Sequence, residues 1–486
     1  MSIAGLESWA RAAGIPLWSP AEPDRGADFR SNYCIDFGKY LTRVPGLVLR
    51  PADRDQLIAC LQHLWHGRLP WKVRGTGHSS GGQVLSDGGV ILDVRGLDRV
   101  LHIDRSAREV TVEGGATWLS LVNQLAPQGL RPPVLTDNLR MTLAGTLSVG
   151  GIGDTSLSRG LQAGHVAQIT LVTPDGSVHE LTPDSDRFGY VLCGRGQLGI
   201  IAAVRLPLLE RPSTIAARVL RWDSLAQFLH DAEQVRARHL YEFFRSTLHW
   251  PRDGQPFYVE AVAGNPCSES AWRARALTAP HGDPADALLR PDRSSPLFFG
   301  DRLAHAQADP IASWDYLCPN VELVFPLPAG LAALQATCEQ VADSSLCASL
   351  SDGSALMLLP ASPQLPLAPL PPGATCVALA LRPRLRQVAE ARAQLPLLRR
   401  LAAQALRAGA RLYLASIDVC SDAREPSREP GTDAGAVDVG DVGDAYALTR
   451  DEFLQQQFGA ALAEFRRHKA RCDPYGLANR GIFTAP

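Results

Sequence analysis

The stretch Trp71-Lys72-Val73-Arg74-Gly75-Thr76-Gly77-His78-Ser79-Ser80-Gly81-Gly82-Gln83 constrains this chain more than any other. It opens as a strand and passes into glycine and serine around a single histidine. Glycine reaches positive φ and lets another backbone or a ligand come close. Several N–H groups turned into one concavity form an anion nest. The stretch is therefore suited to hold a phosphate or pyrophosphate by main-chain donors, with one imidazole among them.

Four readings of it compete. Gly77-His78-Ser79-Ser80-Gly81 fits the G-x-S-x-G elbow of serine hydrolases, with Ser79 as nucleophile. That elbow needs a helix after the strand, and residues 82–89 read as loop and turn. A dinucleotide fingerprint fails because its third glycine is a serine and, again, no helix opens. A flavin loop outside the dinucleotide fold, with His78 as covalent anchor, is the third reading. An ordinary surface loop is the fourth. The stretch alone does not choose.

Composition narrows the classes. A length of 486 residues gives two domains or more and a large core. The hydrophobic share of 45% and charged share of 20% are those of a soluble globular protein. A net charge of −2 gives no electrostatic case for nucleic acid or an anionic membrane. His63 and His66 lie three apart on an expected helix with no third ligand near, so they read as a solvated pair and no metal site is expected. None of the ten cysteines forms C-x-x-C, and several sit in apolar surroundings, as buried free thiols do. The N-terminus lacks the basic start and apolar core of a signal peptide. No apolar run reaches the ~18 residues of a spanning helix. A cytoplasmic protein with reduced cysteines is the expectation.

In chain order, the spacing predicts a short helix over 3–13 and another over 53–65, where Leu57, Ile58, Cys60, Leu61 and Leu64 recur at helical intervals. Strands are expected at 71–74, 89–94, 100–103 and 109–113, an order that is not doubly wound. A helix follows at 119–125. Then comes a second glycine-rich, small-residue segment, Leu135 to Gly153. Two such segments favour a long ligand lying along main chain; the alternative is a helix packed tightly through small residues. Pro174-Asp175-Gly176 marks a hairpin between 168–173 and 178–181. A strand ends near Leu208. Residues 221–234 read as a helix and 257–262 as a strand. Residues 359–372 and 423–444 read as loop and polar surface excursion, and 451–471 as one amphipathic helix.

These motifs resemble the FAD-binding domain of the vanillyl-alcohol-oxidase (PCMH) type, and within it most of all the cytokinin dehydrogenases. The resemblance rests on the Arg74-to-Gln83 loop, Thr136-Asp137, Thr142-Leu-Ala-Gly-Thr-Leu-Ser148, Gly160-Leu-Gln162, Gly194 to Ile201 and Asp473-Pro474. It covers roughly 36–210 and 446–483. It implies an α+β fold: a two-subdomain FAD-binding domain at 28–210, completed by a returning segment at 441–486. An inserted α+β substrate domain on an antiparallel sheet would fill 211–440.

The resemblance also assigns roles. His78 would carry FAD covalently through the methyl carbon at ring position 8, as a single attachment, because Asp137, Asn138 and Leu139 stand where doubly attached relatives have a cysteine. Arg74, Gly75, Thr76, Gly77, Ser79 and Gln83 would lie along the cofactor. Thr142, Ser148 and Ile152 would contact the rest of it, with Ile200 or Ile201 on the adenine side. Asn479 stands where relatives place a flavin-touching glutamine, and Tyr446 near a family tyrosine. Asp137 would take or share the proton of a substrate amine, and Glu260 would line the substrate pocket. An Asp137 that only caps a turn and an ordinary strand Glu260 are the bland readings. The implied activity is removal of hydride from a carbon next to nitrogen in a small-molecule secondary amine, with electrons passed to oxygen or another acceptor. The alternative is an oxidative tailoring enzyme acting on an alcohol or forming a ring or double bond. A flavin-binding protein without activity is a third possibility of a different class.

Overall fold

The computed structural model describes residues 2–20, 29–136, 138–212, 214–252, 254–267, 286–289, 315–351, 353–362, 365–370, 375–420 and 448–479. The first sheet takes β1 (Leu17–Trp18), β2 (Leu47–Leu49), β3 (Trp71–Arg74) and β4 (Val90–Asp93) in the order β1-β2-β4-β3. β4 runs parallel to both β2 and β3. Parallel strands covered on both faces read as continuous apolar runs, and Leu47-Val48-Leu49 and Val90-Ile91-Leu92 are such runs, all buried. The helix Arg54–Gly67 makes the crossover from β2 to β3. Asp53 caps it by accepting from Gln56 N at 2.8 Å, and Arg68 ends it in the left-handed region at φ 51°. Its stripe Leu57, Cys60, Leu61 and Leu64 packs with Leu47, Leu49, Trp71 and Leu92 in one core.

The second sheet is antiparallel. It takes β5 (Val100–Asp104) and β6 (Glu109–Glu113) and, after the short β7 (Leu130–Arg131), β8 (Gln168–Val172), β9 (Val178–Leu181) and β10 (Ile200–Pro207), in the order β5-β6-β10-β8-β9. β7 pairs instead with β11 (Leu209–Glu210). Gly176, at φ 84°, closes the β8–β9 hairpin that Asp175-Gly176 predicts.

The third sheet is the largest. It takes β12 (Thr214–Trp222), β13 (Phe243–His249), β14 (Tyr258–Cys267), β15 (Asp286–Leu289), β16 (Val321–Leu327), β17 (Ser354–Leu359), β18 (Thr375–Leu381) and β19 (Arg411–Leu412). Their order is β15-β12-β14-β13-β17-β18-β16-β19, and neighbouring strands are antiparallel throughout. Helices Leu225–Ala237, Leu331–Ala342 and Val388–Arg407 accompany it. The C-terminal segment then returns to the first sheet. Trp71 N donates to Leu477 O at 3.0 Å and Asn479 N to Trp71 O at 2.9 Å, so residues 477–479 cover the open edge of β3.

Three local expectations change. Arg221 and Trp222 end β12 rather than open a helix; the helix starts at Leu225 because the Ser224 hydroxyl accepts from Gln227 N at 3.4 Å and caps it. The single helix expected over 451–471 is two, Arg450–Phe458 and Ala461–Cys472, broken at Gly459 with φ 50° and ψ −129°. His63 is not merely solvated: its ring stacks on Trp9 with centroids 3.7 Å apart. Of the nine cysteines whose side chains are described, eight are buried free thiols and Cys347 is half-buried. The excursion at 423–444 and Tyr446 lie outside the described residues. Among the described residues, no helix is long and apolar enough to cross a membrane.

Candidate active site

A cavity of about 500 Å³ lies between the glycine-rich loops and the largest sheet, within the size range of small-molecule and cofactor sites. The loop after β3 forms one wall with Gly75, Thr76, Gly77, His78, Ser79 and Gln83. Thr142, Ser148 and Ile152 of the second small-residue segment join it, with Ile200, Ile201 and Asn479. The two segments meet closely: a Cβ on Gly75 would stand within hard contact of the Thr142 hydroxyl. A larger residue at Gly75 would push the two segments apart.

The loop is strapped from behind. Asp36 is buried; its carboxylate accepts from Gly38 N at 3.1 Å and from Gly82 N at 2.8 Å. Burial pushes its pKa up to about 6, against those bonds and the Arg74 charge beside it. Arg74 is 1% exposed and donates to Ile35 O at 2.9 Å. Its guanidinium lies beneath Gly77, and Arg74 is not among the cavity-lining residues, so it supports the loop from the side away from the cavity. Phe37 N donates to Gly77 O, and Ser80 N to Ala415 O, both at 3.0 Å. Gln83 accepts from Gly81 N at 2.8 Å and donates to Ser416 O at 2.6 Å, joining the loop to the opposite wall.

His78 lines the cavity beside Phe37, ring centroids 4.1 Å apart. Burial, and secondarily the Arg382 charge, hold its pKa down to about 3. The imidazole is therefore neutral at physiological pH. The main-chain N–H groups of Thr76, Gly77 and Ser79 have no partner among the described residues. The Ser79 hydroxyl is likewise buried without one. A loop with orphaned donors around a neutral imidazole is what a nest for a phosphate-bearing cofactor requires.

Asn479 reaches the cavity, but its side chain is occupied. Its amide oxygen accepts from Val73 N at 2.9 Å, and its amide nitrogen donates to Arg195 O at 3.2 Å and Gly196 O at 2.9 Å. Asp137 lies outside the described residues; its neighbours Thr136 and Asn138 both line the cavity. Glu260 is half-buried on β14, paired in register with cavity-lining Thr247 of β13. It stands one strand out, on the same sheet face, and is not among the lining residues.

The opposite wall contains residues that the sequence did not single out. Glu322 of β16, Arg382 just beyond β18, Asn320 and Tyr413 all line the cavity. Arg382 donates to Glu322 Oε1 from Nε at 3.2 Å and from Nη2 at 2.6 Å. Tyr413 accepts from Gly151 N at 3.1 Å, tying the second glycine segment to the sheet. Burial and the nearby Glu322 charge raise the Tyr413 pKa, so the phenol stays protonated. One signal was available: a lone carboxylate in the apolar run Val321-Glu322-Leu323-Val324-Phe325 is rare unless it is paired or functional.

Comparison with known proteins agrees with this geometry. The profile described as "FAD binding domain" matches residues 45–182. An uncharacterized oxidoreductase, ORF5 in the fasciation locus of Rhodococcoides fascians, is 30% identical over 305 residues, 60% of this chain and 67% of that protein. Cytokinin dehydrogenase 7 of Oryza sativa subsp. japonica is 34% identical over 257 residues, 50% of this chain and 49% of that enzyme. Cytokinin dehydrogenase 3 of Arabidopsis thaliana is 31% identical over 207 residues, 41% of this chain and 40% of that enzyme. The match thus spans half or less of these plant relatives. The chain belongs to the FAD-linked oxidoreductases of the vanillyl-alcohol-oxidase type, the family of the cytokinin dehydrogenases, and is an FAD-dependent oxidoreductase.

Proposed function

We propose that the cavity holds FAD tethered once, through His78, and that the enzyme removes hydride from a carbon next to nitrogen in a small secondary amine of the cytokinin kind. The observation that carries this reading is a burial-neutralised His78 in the wall of a glycine nest whose N–H donors lack partners among the described residues. Bound FAD supplies a two-electron acceptor beside the substrate carbon. His78 would anchor the flavin at its ring methyl carbon. Thr76, Gly77 and Ser79 offer main-chain donors to the pyrophosphate, and the Ser79 hydroxyl adds another. Asp36 and Arg74 hold that loop in shape from below. Thr142, Ser148, Ile152 and Ile200 form the rest of the cradle.

Asp137 takes or shares the amine proton as the C–H bond weakens, since hydride leaves a carbon more easily as its nitrogen loses a proton. The flanking Thr136 and Asn138 in the cavity wall support that role. Glu260, one strand out, shapes the field at the rim. Oxygen or another small acceptor then takes the electrons. The free thiols fit a cytoplasmic setting, which this reading adopts. The second reading, a tailoring oxidase acting on an alcohol or forming a ring or double bond, is favoured by the charged wall of Arg245, Glu322, Arg382 and Arg384.

The test begins with acid-precipitated, washed protein. The pellet keeps its yellow colour, and the intact mass carries one added FAD, in wild type but not in His78→Ala. A colourless wild-type pellet would refute the tether. N6-isopentenyladenine is then offered with Asp137 intact; no oxidation would sink the amine reading and leave the alternative.

A further inference from the structure

The corner of the cavity around Glu322 has a one-sided hydrogen-bond pattern. Three donors reach the Glu322 carboxylate: Asn320 Nδ2 at 3.2 Å, Arg382 Nε at 3.2 Å and Arg382 Nη2 at 2.6 Å. All three land on Oε1. Oε2 takes no hydrogen bond among the described residues, although the side chain is only 9% exposed and lines the cavity. Beside it, Asn320 Oδ1 is buried with no partner among the described residues. The amide orientation is fixed by chemistry: a carboxylate bonded to Arg382 only accepts, so the Asn320 nitrogen must face it and the oxygen must face away.

Two acceptors, one of them anionic, thus stand together. A buried acceptor without a donor, as Asn320 Oδ1 is, is costly; Glu322 lines the cavity with Oε2 open to a ligand's donor. Next to them the sheet presents an apolar floor. Ala380 lies in register with Glu322, Met357 with Ala378 and Ala355 with Thr247, and all of these line the same cavity.

From this pattern we infer that Glu322 is a specificity-determining residue that receives a hydrogen bond, through Oε2, from an N–H or O–H group on a substrate whose apolar body lies over Ala355, Met357, Ala378 and Ala380. Arg382 and Asn320 are its positioning residues: they fix which oxygen faces the ligand. The inference rests on the reading of this cavity as the substrate site of an FAD-dependent enzyme and names a chemical requirement of that substrate. It holds whether the donor is an amine or an alcohol.

The experiment uses the holoenzyme with its flavin reduced by dithionite under argon, so that binding is read by calorimetry without turnover. Two matched pairs serve as probes: N6-isopentenyladenine against its N6-methyl derivative, and cinnamyl alcohol against its methyl ether. Wild type binds the donor-bearing member of at least one pair tenfold to a hundredfold more tightly, the range of a hydrogen bond to a charged group. Glu322→Gln and Glu322→Asp, with flavin content and melting temperature as folding controls, bring that ratio to within about twofold. In the glutamine variant the group facing the ligand is an amide donor, and in the aspartate variant the carboxylate is drawn back.

Equal affinities within both pairs in wild type, or no binding of either donor-bearing probe, would overturn the inference. So would a ratio that persists in both variants, or a shifted flavin potential with the ratio intact, which would mean that Glu322 faces the cofactor. Discrimination in the alcohol pair together with no flavin reduction by N6-isopentenyladenine would support Glu322 and remove only the amine reading.

Discussion

Replacing Asn479 by alanine tests how the cofactor wall is held shut. Asn479 is 1% exposed and sits in the left-handed region at φ 48°. Its side chain bonds Val73 N, Arg195 O and Gly196 O. Alanine removes all three bonds. Leaving the Val73 N–H orphaned costs about 1–3 kcal/mol. The two carbonyls, each losing one donor, together add about 1 kcal/mol. A left-handed alanine adds about 1 kcal/mol that asparagine largely avoids. The sum is about 4 kcal/mol, and for a unit of this size each kcal/mol moves the melting temperature by about 2–4 °C. A fall of about 8–16 °C in the flavin-reporting transition is therefore expected, read by release of flavin fluorescence on heating. Asn479→Asp separates the contributions. It keeps the bond from Val73 N and tolerates the left-handed backbone, but turns an oxygen on two carbonyls. It should melt well below wild type at neutral pH. An Asn479→Ala protein melting within 2 °C of wild type, or an Asp variant as stable as the native chain, would refute this account.

Three other outcomes are expected. Asp36 keeps its proton up to about pH 6 in the fold, against 3.8 when unfolded, so the fold is favoured most below pH 4 and loses about 3 kcal/mol as pH rises through 4 to 6; Asp36→Asn flattens that loss, and urea midpoints showing the same variant-to-wild-type gap at pH 4 and pH 7 would count against it. Gly77→Ala puts a Cβ in hard contact with Nη2 of the buried Arg74 at a φ of 76°, and should purify with little flavin; a normal flavin-to-protein ratio would exclude the tight packing under the loop. Asp137→Asn should load FAD normally and slow flavin reduction by an amine substrate by orders of magnitude, and an unchanged single-turnover rate would remove the proton-accepting role.

What the sequence made legible was local. The β3 loop, the β8–β9 hairpin and the crossover helix announce themselves through glycine, Asp-Gly and apolar spacing within a few residues of each other. The loop residues His78, Ser79 and Gln83 were readable because glycines mark where main chain must be bare. Residues 221–234 read as one helix, and only the pairing of Arg221 and Trp222 with β14 shows those two to be strand. Asn479 was read as a cofactor contact because it stood in for a glutamine. Its three backbone partners come from residues 73, 195 and 196, and no local pattern encodes that meeting. The meaning of Glu322 is hidden for a related reason: it depends on Arg382, 60 residues away, as well as on neighbouring Asn320, and on which face of β16 looks into the cavity.

The bond from Val73 N to Asn479 spans 406 residues, and that span has a consequence for biosynthesis. At translation rates of about 5–20 residues per second, the edge of β3 waits roughly 20–80 s for the segment that covers it. During that interval the nascent chain carries an open strand edge beside an unfilled glycine nest, the kind of surface that recruits wrong partners. Lys469 then locks the late segment down: its buried ammonium donates to Gln197 O at 2.8 Å, Asp473 Oδ2 at 2.7 Å and Ala478 O at 3.2 Å. A finished wall exists only once residues 469–479 have been made and that latch engages, so a ribosome stalled before them leaves a chain that has made nearly all of its described sheets but not a closed cofactor site.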